Sequence, residues 1–211
     1  MPVAVRAIFI AILLTALPLA AGVWVAGDET DDTPTGPAPY DSTALKDYDT
    51  STVSITRAGF CERVAPEAVS EALGAEATDE ESYGNGDPTE LVPKEVDVAH
   101  EYGCTYVAAD GAEARAWVFA PPVTADRAGE LVRAAEETAG CEKQPGSEAY
   151  GAPSVTLVCD DRQRRIATYR GLFGDAWLSC SLGLPGRPGD RELLDRTGRW
   201  CVAAAEAASA T

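Results

Sequence analysis

The sequence VAHEYGCTYVAADGAEARAWVF, residues 98–119, decides the fold. Two runs rich in aromatic and β-branched side chains flank Asp110-Gly111, a dipeptide that accepts the positive φ angles of a tight hairpin turn. If that turn has two residues, Cys104 lies opposite Trp117. The segment therefore predicts an antiparallel hairpin on which a larger sheet can be built.

Other short apolar runs alternate with polar residues and are typical of strands. They predict strands at residues 52–56, 155–159, 165–169 and 176–182. Residues 76–93 combine acidic side chains with Gly84, Gly86 and two prolines, and we expect a long surface loop there.

Helices are predicted between the groups of strands. One begins at Pro66 and ends at Gly74, a second is capped by Thr124 and ends at Gly140, and a third starts near Arg191 with Asp190 as its cap. Because the strands come as hairpins, we expect an α+β domain, in which an antiparallel sheet carries about three packed helices.

An apolar segment occupies residues 7–26, with Arg6 before it and acidic residues after it. About 20 apolar residues can cross the hydrocarbon core of a bilayer, and this charge order places the amino terminus inside. Pro18 followed by Ala20-Ala21-Gly22 also resembles a signal-peptide cleavage site, so secretion after cleavage is the alternative. Both interpretations place the rest of the chain outside the membrane.

The chain divides into three predicted parts. Residues 1–27 are a membrane anchor or signal peptide, and residues 28–50, with three prolines and seven acidic side chains, are a flexible tether. Residues 51–211 form the extracytoplasmic domain. The apolar content of the whole chain, 45%, is enough for a substantial core.

Six cysteines lie at positions 61, 104, 141, 159, 180 and 201, without a C-x-x-C motif. An even number of cysteines after an export segment indicates a disulfide framework. Among the many pairings that six cysteines allow, we favour sequence order, Cys61 with Cys104, Cys141 with Cys159 and Cys180 with Cys201. Each disulfide would then join a helix-side position to a nearby strand.

The formal net charge of −17 disfavours nucleic-acid binding, which depends on Lys and Arg side chains that displace counterions. No metal or cofactor motif stands out, and we expect no cofactor. His100, the only histidine, has no serine-hydrolase motif around it, so we expect a packed or surface residue and a protein that is not an enzyme.

Arginines concentrate on one predicted hairpin of this acidic chain, where Arg162, Arg164, Arg165 and Arg170 could form a patch for an anionic ligand. Further arginines, at positions 187, 191, 196 and 199, lie on or near the third helix. Pairing with nearby acids is the alternative. A second candidate is the aromatic set around Phe173 and Trp177, for which core packing is the alternative.

Three strings carry a family resemblance: Phe60-Cys61-Glu62-Arg63-Val64, Tyr102-Gly103-Cys104-Thr105 and Gly171-Leu-Phe-Gly-Asp-Ala-Trp-Leu-Ser-Cys180. With Ala72-Leu73-Gly74, they resemble actinobacterial exported lipoprotein-like domains of unknown function over residues 51–208. More distantly, the chain is similar to the extracellular sensor domain of mycobacterial serine/threonine kinases. The resemblance implies an exported, disulfide-bonded fold and supplies no catalytic residues.

Together these features predict a non-enzymatic binding or interaction module of the bacterial cell envelope, with an envelope ligand or partner protein. Membrane contact would come through residues 7–26. The alternatives are a secreted hydrolase that uses carboxylates and a purely structural envelope protein.

Overall fold

A computed structural model of the protein describes residues 40–92, 95–161 and 163–209. The predicted anchor, most of the predicted tether and Arg162 lie outside these residues. None of the helices within the described ranges is long and apolar enough to cross a bilayer.

The domain is α+β, as predicted. Its strands are β1 (Ala77–Tyr83), β2 (Pro88–Val92), β3 (Glu95–Val98), β4 (Glu101–Ala108), β5 (Glu113–Phe119), β6 (Cys141–Lys143), β7 (Ser154–Asp160), β8 (Arg164–Phe173) and β9 (Ala176–Pro185). Its helices are α1 (Pro66–Leu73), α2 (Ala125–Glu136) and α3 (Asp190–Ala208).

Seven strands form one antiparallel sheet in the order β1-β4-β5-β9-β8-β7-β6, while β2 and β3 form a separate two-stranded ribbon. On one face of the large sheet, called the α3 face, α3 and α1 cover a core that includes Trp200, Leu178 and Leu193, each at most 1% exposed. Burial of each such side chain contributes about 1.5–3 kcal/mol. The α3 face therefore holds the main core.

The opposite face, called the α2 face, is covered unevenly. Helix α2 packs over β6, β7 and β8, where Ala128 is buried in one apolar cluster with Leu172 and Trp177. Thr124 caps this helix as predicted, since its hydroxyl accepts a hydrogen bond from the Arg127 amide at 3.2 Å. Toward β5 and β4 the same face carries half-buried side chains, among them Arg115 and Trp117.

The hairpin of β4 and β5 forms with a register one residue away from the prediction. Its loop has three residues rather than two, because the Ala108 amide donates to the Ala112 carbonyl at 2.9 Å and Gly111 adopts φ 88°. Cys104 therefore lies opposite Ala116, and Trp117 lies opposite Gly103. This one-residue difference places Cys104 on the α3 face and Trp117 on the α2 face.

The predicted loop at residues 76–93 is wrong, because this segment forms β1 and β2. Strand β1 is an edge strand with acidic residues on both faces, so it lacks the apolar alternation that identifies strands. The strand expected at residues 52–56 is reduced to a single bridge between Ile55 and Ser209.

Two helix boundaries also differ from the prediction. Helix α2 ends at Glu136 instead of continuing to Gly140. The cap of α3 is Gly189, while Asp190 is already the first helical residue and forms an ion pair with Arg165 at 2.6 Å.

The folded domain begins earlier than residue 51. Leu45 is buried against α3, with its Cβ only 3.1 Å from the position that a Cβ on Gly198 would take. The Ser42 hydroxyl donates to Glu71 at 2.6 Å, and Arg199 donates to the Ser42 carbonyl at 2.9 Å. Residues 40–48, predicted as part of the tether, therefore belong to the domain.

All three disulfides pair in the predicted order. Cys61–Cys104 joins the turn before α1 to β4, and Cys180–Cys201 joins β9 to α3. Cys141 and Cys159 instead face each other on the neighbouring strands β6 and β7, so this disulfide is not the helix-to-strand link that we expected. In the chain-entropy model, loops of these lengths each contribute about 3–4 kcal/mol.

Candidate functional site

Two of the four predicted patch arginines are neutralised by acids of the same domain. The Arg164 guanidinium lies 2.7 Å from Glu113 and 3.8 Å from Asp161. Arg165 lies 2.6 Å from Asp190 and 3.5 Å from Asp160. Internal pairing therefore accounts for both side chains, and Arg162 lies outside the described residues.

Arg170 differs from these arginines. It projects from β8 on the α2 face, between Val155 of β7 and Ser179 of β9. Its guanidinium has no ion pair or hydrogen bond with the described residues, and its Nε atom is fully buried. Burial alone lowers the pKa of Arg170. Burial therefore destabilises the charged guanidinium, and no acidic side chain among the described residues offsets that effect.

An aromatic side chain lies two strands away from Arg170. The register places Arg170 beside Ser179, and Ser179 beside Trp117 of β5. Trp117 is half-buried and packs against Phe119, with ring centroids 4.9 Å apart. Ser179, only 2% exposed, forms the floor between the two larger side chains. We call Arg170, Ser179 and Trp117 the Arg170–Trp117 strip.

Arg115 lies on the same face but belongs to an internal network. Its Nη2 donates to the Tyr83 hydroxyl at 3.0 Å, and that hydroxyl donates to the Glu101 carboxylate at 2.5 Å. Burial raises the pKa of Glu101 and raises that of Tyr83 to about 12. The charge of Arg115 is thus already used inside the domain.

A cavity of about 380 Å³ opens beside the Cys61–Cys104 disulfide. Its lining includes Phe60, Glu62, Tyr83, Asp87 and Tyr102. Sequence reasoning missed this cavity because it treated residues 76–93 as a surface loop and did not bring Tyr83 close to Cys61.

A second concavity, of about 290 Å³, lies between residues 44–46, the loop at residues 144–148 and α3. Lys46 and Arg191 line it together with Glu148 and Asp195. These charges balance, so the cleft favours neither an anion nor a cation.

The aromatic set around Phe173 and Trp177 belongs to the core. Phe173 is 3% exposed and packs edge to face with Tyr150 at a centroid distance of 5.0 Å, while Trp177 is 1% exposed beneath α2. Core packing therefore explains both rings.

Little in the described part of the chain suggests a catalytic or metal centre. His100 is exposed in a bend before β4. Across the described ranges, no group of three or more His, Cys, Asp or Glu side chains is placed to hold a metal ion. The chain matches no protein-family model, and a search of curated proteins finds no similar sequence.

Proposed function

We propose that this protein is a non-enzymatic binding module of the bacterial cell envelope that recognises an anionic ligand through the Arg170–Trp117 strip. The observation that carries this proposal is the state of Arg170. In a chain of net charge −17, with acids beside Arg115, Arg164 and Arg165, this half-buried guanidinium has no acidic partner among the described residues.

A bound anion would supply the interaction that Arg170 lacks. A hydrogen bond to a charged group contributes about 1.5–3 kcal/mol, and a guanidinium can hold a carboxylate or phosphate with two parallel hydrogen bonds. The Nε atom of Arg170 is already buried in the free protein, so part of the desolvation cost is met before the ligand binds. This preorganisation favours a specific anion site over a loose surface contact.

Trp117 adds a requirement on the shape of the ligand. Neighbouring strands lie about 4.8 Å apart, so Arg170 and Trp117 emerge about 10 Å apart across β9. The ligand would therefore carry its anionic group on a larger body whose flat or apolar part contacts the indole ring. A charged sugar unit or an acidic peptide segment of the envelope meets both requirements.

The location outside the membrane is part of the proposal. It is supported by the apolar segment at residues 7–26, the charge asymmetry around it and the three disulfides. We propose a single-pass protein with its domain outside, and secretion after cleavage is the alternative. Nucleic acid is not an expected partner of so acidic a chain.

The test is binding of anionic ligands by the full-length oxidised protein in non-ionic detergent. Galacturonate oligomers, matched neutral galactose oligomers and an acidic peptide are titrated while Trp fluorescence and calorimetry are followed. We expect an anionic probe to bind, Arg170→Gln to weaken it at least tenfold, and Trp117→Leu to weaken it to a lesser degree.

The matched control is Arg127→Gln, which removes the same charge from the exposed surface of α2. It should bind like the unmodified protein. Equal binding by Arg170→Gln and the unmodified protein, or equal losses in Arg170→Gln and Arg127→Gln, would show that Arg170 does not form the site.

A further inference from the structure

Three hydroxyl side chains lie on the α2 face at the Arg170–Trp117 strip. Ser179 lies between Arg170 and Trp117, and the next row along the same strands holds Thr168 of β8 beside Ser181 of β9. Two residues along a strand span about 7 Å, so the two rows are close neighbours. We call Thr168, Ser179 and Ser181 the hydroxyl cluster.

The hydroxyl cluster has no hydrogen-bond partner among the described residues, although Thr168 is 6% exposed and Ser179 only 2%. A buried hydroxyl without a hydrogen bond is unfavourable. The oxygen atoms are not sealed off, because within the described ranges the fully buried side-chain atoms without a partner are all arginine Nε atoms. These hydroxyls are therefore free to bind a ligand.

Helix α2 bounds this part of the sheet on one side only. It packs over β6, β7 and β8. Beyond it, Ser181 on β9 and its neighbour Arg115 on β5 remain half-buried. Arg115 is fixed by its hydrogen bond to Tyr83. The hydroxyl cluster thus lies on the sheet between α2 and Arg115, beside the unpaired guanidinium of Arg170.

The backbone of the sheet contributes little to this site. Strands β5, β9 and β8 are interior strands, each paired with a neighbour on both sides. A peptide that binds a sheet commonly does so by adding a strand to an exposed edge, where main-chain hydrogen bonds provide affinity. No such edge exists here, so the ligand must be recognised by hydroxyl, guanidinium and indole groups.

We infer that the anion site proposed above, on which this inference rests, binds an acidic oligosaccharide in preference to an acidic peptide. A sugar carboxylate can bind Arg170 through two parallel hydrogen bonds. Sugar hydroxyls both donate and accept hydrogen bonds, as do the hydroxyls of the cluster. The apolar face of a sugar ring can pack on the indole of Trp117.

The spacing of the site sets the minimum length of the ligand. Arg170 and Trp117 emerge about 10 Å apart, which is wider than a single sugar ring. One sugar unit would bind Arg170 with its carboxylate while the next packs on Trp117. The ligand therefore has at least two units.

The experiment compares probes of equal charge on the full-length oxidised protein in non-ionic detergent. Trigalacturonate and a triglutamate peptide blocked at both ends each carry three carboxylates, and monomeric galacturonate tests the length requirement. Calorimetry and Trp fluorescence follow binding. We expect trigalacturonate to bind at least about tenfold more tightly than either other probe, because only it contacts Arg170, the hydroxyl cluster and Trp117 together.

Variants of the hydroxyl cluster locate the contact. Ser181→Ala should weaken trigalacturonate binding roughly three- to tenfold and leave triglutamate binding within about twofold. Thr168→Val, which keeps the branched shape without the hydroxyl, should also weaken trigalacturonate binding. The matched control is Ser82→Ala on β1, whose side chain lies opposite Cys104 on the α3 face and should leave both affinities unchanged.

The outcomes separate this inference from the anion site itself. If triglutamate binds as tightly as trigalacturonate, and Arg170→Gln weakens both, the anion site stands and the oligosaccharide is wrong. Equal effects of Ser181→Ala and Ser82→Ala, or equal affinities of the monomer and the trimer, would also overturn the inference. If no probe binds, or if Arg170→Gln and Arg127→Gln bind alike, the anion site fails and the inference fails with it.

Discussion

The ring of Tyr83 lies directly over the Cα of Gly103, the residue paired with it on the neighbouring strand. A Cβ at position 103 would stand 2.4 Å from both the Tyr83 hydroxyl and the ring carbon that carries it. The smallest residue in β4 therefore allows a tyrosine from the edge strand to reach Glu101 and Arg115.

Gly103→Ala should displace Tyr83 and break its hydrogen bond to Glu101. We expect the free energy of unfolding to fall by about 1–3 kcal/mol, because the added methyl group overpacks the site. Urea unfolding monitored by circular dichroism measures the effect. The matched control is Gly129→Ala in α2, where a Cβ meets only the end of the Arg133 side chain at 3.7 Å. This change should be neutral or stabilise by about 0.5–1 kcal/mol; similar losses in both variants would contradict the close contact.

Leu45→Ala should destabilise the domain by about 2–3 kcal/mol, because Leu45 is 6% exposed and fills the space beside Gly198. Lys46→Ala, at the exposed neighbouring position, should change the free energy of unfolding by less than about 0.5 kcal/mol. Chemical denaturation of both variants is the measurement. Equal stabilities would mean that residues 40–48 do not pack on α3 in solution.

Arg164→Gln combined with Arg165→Gln should leave binding of anionic ligands within twofold of the unmodified protein, because both side chains are already paired with acids. The expected cost is to stability. A double-mutant cycle of Arg164→Gln and Glu113→Gln should give a coupling of about 0.5–1 kcal/mol. A tenfold loss of anion affinity in the double arginine variant would show that Arg164 or Arg165 takes part in anion binding, as the larger predicted patch requires.

The three disulfides should differ in their reaction with mild reductant. Cys141 and Cys159 are half-buried, whereas Cys180 and Cys201 are at most 1% exposed. A reductant must reach a sulfur atom, so we expect Cys141–Cys159 to be reduced before Cys180–Cys201 while the domain stays folded. Alkylation of the freed thiols and peptide mapping provide the measurement. Labelling of Cys180 or Cys201 before Cys141 and Cys159 would show that α3 leaves the sheet more readily than its burial implies.

Glu101 should make stability depend on pH in a defined direction. Burial raises its pKa above the ordinary value of 4.5, so the folded state binds a proton more tightly than the unfolded state. The contribution of protonated Glu101 to the free energy of unfolding is fully present below the pKa of Glu101 in the unfolded state. It is lost as pH rises through the pKa of Glu101 in the folded state. Glu101→Gln should therefore gain stability relative to the unmodified protein as pH rises above the ordinary pKa of a glutamate. Denaturant unfolding of both proteins at several pH values measures the difference. A difference in the free energy of unfolding that does not change with pH would contradict the raised pKa of Glu101.

Sequence patterns predicted much of the architecture because their causes are local. The turn dipeptide Asp110-Gly111, Pro66 at the start of α1 and Gly74 at its end all follow from backbone preferences of single residues. The disulfide pairing in sequence order was also predicted, on the expectation that each disulfide joins a helix-side position to a nearby strand, and that expectation is wrong for Cys141–Cys159. The edge strand β1 escaped detection because its side chains are acidic on both faces.

The amino-acid sequence by itself determined the α+β class and the turns that join the strands, because turn chemistry and apolar periodicity act over a few residues. The sequence favoured one pairing of the six cysteines among many, and only the tertiary structure decided it. Only the tertiary structure decided which arginines are paired, since Glu113 and Asp190 reach Arg164 and Arg165 from distant segments. It also decided that Arg170 stands without an acid in the described chain and that Tyr83 meets Cys61 at one cavity. Such relationships depend on strand order and on register to the single residue, which no local pattern specifies.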